Sequence, residues 1–127
     1  MIDKETEIFN AVATHLRGKY ATIFISSREI SSTPSVFPAV SAIQSSNKVN
    51  ESGSTFTEIE NVASEEYKFE VFSNLETGKK AQAKEIVSEI DTIMNSKNYI
   101  RYFNNSISNG DPTIERIIVR YRSTNVT

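Results

Sequence analysis

Cysteine is absent from the chain, which removes disulfides, a thiolate nucleophile and any cysteine-ligated zinc from consideration. Histidine occurs once, at His15, so a zinc site built from several histidines is excluded by count. No apolar run approaches the roughly 18 residues that a membrane-crossing helix needs. Met1-Ile2-Asp3-Lys4-Glu5 is charged and lacks the apolar stretch of a secretion signal; with no cysteine, a reducing compartment is expected. Without such a signal, the glycosylation sequons Asn50-Glu51-Ser52, Asn104-Asn105-Ser106 and Asn125-Val126-Thr127 carry no weight. A phosphate loop is missing too. Thr77-Gly78-Lys79-Lys80 has the look of the end of one, but Ser73 stands at the first glycine position and Lys80 where a Ser or Thr should follow the lysine.

The remaining candidates for chemistry read as ordinary surface. His15 falls near the end of a helix beside Arg17, with no serine or carboxylate in a sequence-readable relation to it. Glu85, Glu89 and Asp91 sit on the polar side of an amphipathic helix, next to Lys84 and Lys97, as a solvated face would. No catalytic, cofactor-binding or metal-ligating residue is expected, and no enzyme.

What is present is a chain of 127 residues, 38% hydrophobic and 24% charged, which suits one domain with one core. The formal net charge of −2 gives no overall attraction to phosphate. Charge is uneven along the chain, however. Between Gln44 and Glu66 stand Glu51, Glu58, Glu60, Glu65 and Glu66 against Lys48 alone, whereas the last strand carries Arg116, Arg120 and Arg122 against Glu115. Such runs are either solvated faces or the two halves of a subunit contact.

Asp3 to Arg17 reads as a helix: Ile8, Phe9, Val12, Ala13 and Leu16 form one stripe, Asp3 is placed to cap it, and Gly18 to close it in a left-handed conformation. Tyr20 to Ser26 reads as a strand. Val36 to Ile43 is a second extended piece, and Pro38 makes it either an edge strand or a strand beginning there. Gln44 to Glu66 is polar and acidic, expected to form a projecting arm or hairpin with some strand over Thr55 to Ile59. Tyr67 to Phe72 is a strand, and Leu75 to Met94 a helix with Ala83, Ile86, Val87, Ile90, Ile93 and Met94 on one face. Tyr99 to Ile107 and Ile114 to Arg122 are further strands, with Tyr99, Arg101 and Phe103 alternating against Ile100 and Tyr102. Asn109-Gly110-Asp111-Pro112 is the turn between them. In the last strand Ile117, Val119 and Tyr121 share one face, and Arg116, Arg120 and Arg122 the other. The expected class is α+β: a mostly antiparallel sheet with a β-α-β-β core, an N-terminal helix and a second helix packed on it.

Arg101, Arg116, Arg120 and Arg122 interleave with Tyr99, Tyr102, Phe103 and Tyr121. That composition fits a sheet that binds single-stranded nucleic acid, and equally a protein interface, where arginine and tyrosine are favoured. With the negative net charge, the interface is the preferred reading, carried by Arg101, Arg116, Arg120, Tyr121 and Arg122.

The layout resembles the tail-terminator (tail-completion, often labelled minor capsid) proteins of long-tailed bacteriophages. The segments "YKFEVFSNLETGKKAQAKEIVSEIDTIM" and "DPTIERIIVRYRSTNV" carry the resemblance, together with the first helix and strand and Phe37-Pro38-Ala39-Val40. It covers about Glu7 to Thr124 and is one of layout, without a catalytic signature. It implies a homo-oligomeric ring, commonly a hexamer, at the head-proximal end of the tail. The ring's partners are the tail tube protein and the head-side connector, and DNA passes through its lumen without tight binding. It further implies a virion protein assembled in the host cytoplasm, with no cofactor and no membrane partner. On that implication Glu51, Glu58, Glu60, Glu65 and Glu66 line the lumen or form an inter-subunit arm. The alternatives are another head-tail connector ring or a nucleic-acid-binding α+β module.

Overall fold

The computed structural model describes residues 4–30, 34, 36–49, 63–108 and 110–126. In chain order these form α1 (Glu5–Lys19), β1 (Phe24–Ser26), β2 (Ala39–Val49), β3 (Ala63–Ser73), α2 (Lys79–Ser96), β4 (Ile100–Ile107) and β5 (Glu115–Val126). The five strands make one sheet in the order β1-β2-β3-β5-β4. Only β1 and β2 run parallel; the other neighbours are antiparallel. The α+β class read from the sequence is the one observed.

Both helices cover the same face. Alternate strand residues reach it: Val40 and Ala42 from β2, Tyr67, Phe69 and Val71 from β3, Ile117, Val119 and Tyr121 from β5. Against them pack Ile8, Val12, Ala13 and Leu16 of α1 and Ala83, Ile86, Val87, Ile90 and Met94 of α2, the stripes that the 3.6-residue period demands. Each large side chain buried there contributes on the order of 1.5–3 kcal/mol. On the opposite face Ala39, Phe72 and Ile114 form a small buried cluster with Ile30 and Phe37 against it.

Several boundaries differ from expectation for identifiable reasons. Gly18 does not close α1. The helix runs through it to Lys19 and stops where Tyr20 turns extended, its hydroxyl donating to Glu85 Oε1 at 2.6 Å. Asp3 lies outside the described residues; the N-cap is Lys4, whose backbone N–H donates to Glu65 Oε2 at 3.3 Å. β1 is short because residues 21 and 22 form a turn. Pro38 precedes β2, which is an interior strand rather than an edge, and the Pro38 carbonyl accepts the Phe24 N–H at 2.9 Å.

The acidic stretch is also partly reassigned. Residues 44–49 and 63–66 belong to the β2–β3 ladder, which extends to the pair Val49 and Ala63. The expected strand over Thr55 to Ile59 lies outside the described residues. At the start of α2, Gly78 takes a left-handed φ of 95° as N-cap, so the helix begins four residues later than its apolar pattern suggests. At its end Asn98 is left-handed (φ 68°). The Asn98 N–H donates to Asn95 O at 3.0 Å and the Tyr99 N–H to Met94 O at 2.9 Å, the double bond of a Schellman closure.

Candidate interaction surface

β5 divides its side chains between two worlds. Tyr121, Val119 and Ile117 enter the helix-covered core, while Arg116, Arg120 and Arg122 stand on the open face. The five residues singled out from the sequence therefore do not share one surface. Tyr121 is fully buried, its hydroxyl donating to Asp91 Oδ1 at 3.1 Å. Arg101, opposite Tyr121 in the ladder, lies on the helix side, with Nη1 3.7 Å from the same Asp91 oxygen.

Arg116 is committed within the chain. Its Nε and Nη2 both donate to Glu70 Oε2, at 3.1 and 2.8 Å, and its guanidinium lies 5.4 Å from the Phe72 ring centre. Glu70 is 3% exposed. Lys68 completes the group, 3.3 Å from Glu70 Oε1 and 2.9 Å from Glu29 Oε1. A carboxylate this buried is tolerable only because two cations hold it. Arg116 is a structural residue of the open face and not free for a partner.

Arg120 and Arg122 are different. Among the described residues neither makes an ion pair; Arg120 lies 5.8 Å from the Phe103 ring centre and Arg122 5.1 Å from that of Tyr102. Strict alternation would put Tyr102 and Phe103 on opposite faces. The register slips between Arg101 and Phe103, however, and the extra residue of this bulge brings both rings to the arginines. Ile100 joins them. Ile100, Tyr102 and Phe103 are 69%, 41% and 38% exposed, all on the terminal strand of the sheet. The Tyr102 phenol is pushed above its ordinary range, by burial first and then by the hydrogen bond it gives Glu66.

Of the five glutamates expected in an arm, Glu51, Glu58 and Glu60 lie outside the described residues. Glu66 sits in β3 opposite Arg122. Glu65 points the other way and is fully buried. Its Oε1 accepts from Tyr67 at 2.6 Å and from Tyr99 at 3.0 Å, while Oε2 takes the Lys4 N–H at the start of α1. The positive end of the helix dipole favours a carboxylate there. Burial, then contact with Glu65, raises both phenols well above their usual range. Strand alternation assigns Glu65 to the face of Tyr67 and Phe69, a signal that the acidic composition of the stretch hides.

The helix side of β4 holds a second feature that sequence reasoning missed. The strand extends past the cover of α2 and leaves a trough of about 510 Å³, lined from α2 by Lys80, Lys84, Val87, Ser88 and Asp91 and from below by Arg101, Asn104, Ser106 and Ile117.

The polar face of α2 is tied to α1 rather than freely solvated. His15 Nε2 lies 2.6 Å from Glu89 Oε1, and Lys19 Nζ donates to Glu89 Oε2 at 3.0 Å. These two partners hold the Glu89 carboxyl below the usual range. The signal was the pairing of a four-residue step His15/Lys19 with a four-residue step Glu85/Glu89. Among the described residues no group of three or more His, Asp or Glu is arranged to hold a metal ion.

No protein-family model matches the chain, and neither does any curated protein sequence.

Proposed function

We propose that the chain is a ring-forming subunit of the tail-terminator kind, capping the head-proximal end of a phage tail tube and presenting its other side to the head-side connector. The observation that carries the self-association is the terminal strand β4, where Ile100, Tyr102 and Phe103 stand exposed beside Arg120 and Arg122. An apolar cluster on the outermost strand of a sheet is a liability unless something covers it, and arginine with aromatic residues is the composition that covering interfaces use. The order of helix, strands and turn that bears the sequence resemblance supports the rest: a hexameric ring, the tail tube protein and a connector as neighbours, DNA passing through without tight binding, and the virion as location. The output in this reading is geometry, with no reaction performed and no cofactor needed. Another ring of the head-tail connector is the near variant.

A nucleic-acid role is disfavoured by one detail. The outward ring faces on which bases would stack are those over which Arg120 and Arg122 already lie. Native mass spectrometry with negative-stain imaging of the purified protein tests the proposal. Closed rings are expected, and R120E combined with R122E should disperse them; a monomer at millimolar concentration would refute ring formation.

A further inference from the structure

Resting on the ring reading above, we infer that β4 of one copy pairs antiparallel with the β1 edge of the next, so that the sheets of neighbouring copies run on into one another.

Among the described residues the sheet ends in two unpaired edges, β1 and β4. Each presents main-chain groups with no ladder partner, the template on which another strand pairs. The exposed large hydrophobic side chains gather at these same edges. Ile100, Tyr102 and Phe103 lie on β4, and Phe24, 45% exposed, lies on β1. Val36, also 45% exposed, comes two residues before Pro38, whose carbonyl takes the Phe24 N–H. Among the described residues only Leu75 stands elsewhere.

The two apolar edges also face the same way. Phe24 is level with Ala39 and Ile25 with Val40. Ile25 and Val40 enter the helix-covered core, so alternation puts Phe24 on the open face. There it matches Ile100 and Phe103, which stand level with Arg122 and Arg120. Direction fits too. β1 runs with β2, against β3, with β5 and against β4. A copy rotated about an axis along the strands keeps those directions, so its β1 lies antiparallel to the first copy's β4. The joined ladder sets Phe24 beside Ile100, Tyr102 and Phe103 as a cross-strand apolar cluster. A two-fold β4–β4 pairing leaves Phe24 and Val36 uncovered and stops at a dimer. The head-to-tail contact covers both edges and closes into a ring.

With no native cysteine, disulfide trapping reads the contact directly. Three double variants combine F24C with I100C, F103C or N105C, all at exposed positions of the open face. Inside one chain the two edges are four strand spacings apart, about 19 Å, too far for a disulfide. After gentle oxidation at least one double variant should run as a ladder of linked chains on a non-reducing gel. F24C alone and each β4 cysteine alone should stay monomeric on that gel. In parallel, F24K should reduce the ring population at least tenfold at fixed concentration. Phe24 is exposed, so the circular dichroism melt of F24K should match the parent. Rings that persist in F24K with no ladder from any double variant overturn the β4–β1 contact and leave the ring reading standing. So does a dimer band from F103C alone in a protein that still forms rings. A parent protein that never self-associates overturns both.

Discussion

β3 and β4 are the two neighbours of β5, and they live under opposite conditions. β3 is paired on both edges and covered on both faces: Tyr67, Phe69 and Val71 lie under the helices, Phe72 is buried with Ala39 and Ile114 beside Ile30 and Phe37, and Glu70 lies under Arg116 and Lys68. Among the described residues β4 is paired on one edge only, and all but the last of its side chains are exposed. Position in the sheet, more than composition, separates them, since both are rich in aromatic and β-branched residues. The interior strand holds the fold, and the terminal strand is left to meet something else.

Truncating a matched pair of phenylalanines gives the strongest test of that division. Phe69→Ala in β3 should cost about 3–5 kcal/mol, because a fully buried ring leaves a cavity. Phe103→Ala in β4, 38% exposed, should cost less than about 1 kcal/mol. Urea denaturation of both variants measures it, and equal losses would mean that β4 is as much a part of the core as β3.

The arginines of β5 divide in the same way. Glu70→Ala leaves Arg116 without its carboxylate and Lys68 with Glu29 alone, and should cost about 2–3 kcal/mol, below the full value for a buried pair because both cations are partly exposed. Arg120→Ala should leave the urea midpoint unchanged within error, since its contacts, the Phe103 ring and the Tyr102 hydroxyl, are with exposed side chains. A similar loss in both would erase the distinction between the structural and the available arginine.

Tyrosine titration sharpens the contrast further. The chain has five tyrosines. Tyr20, Tyr67, Tyr99 and Tyr121 are raised far above the ordinary phenol range, by burial first and then by their carboxylate partners. A raised folded value means the native state keeps protons that the unfolded state releases. This stabilisation is complete below the unfolded phenol value near 10 and declines as pH climbs above it. Absorbance at alkaline pH should show Tyr102 of β4 ionising in the folded protein and the other four ionising only with unfolding. Reversible ionisation of all five before unfolding would contradict the hydrogen bonds to Glu65, Glu85 and Asp91.

Periodicity made both helices, their buried stripes and the two faces of β5 legible, because these follow from local repeat alone. It failed where non-local pairing decides. Residues 44–49 and 63–66 look like solvated linker, yet each half supplies the other's ladder, and Glu65 is drawn inward by two tyrosine hydroxyls and a helix start. The bulge that turns Tyr102 and Phe103 to the same side has no glycine or proline to announce it. The trough beside α2 exists because β4 lies one strand beyond the helix, which is a property of strand order. Lys80 and Lys84 were visible in the sequence only as a polar face.

The smallest effect on stability should come with the largest effect on association. Ile100 is 69% exposed at the start of β4, opposite Arg122 and beside the bulge. Ile100→Lys removes little buried area, so the thermal midpoint should stay within about 2 °C of the parent. The same change places a cation next to Arg122 in the surface proposed to meet a second copy, where a desolvated like charge opposes contact. Sedimentation velocity across a concentration series should therefore show the parent associating and I100K sedimenting as a monomer. Unchanged association in I100K would mean that β4's exposure serves no contact between copies, and the difference between β3 and β4 would then be one of burial alone.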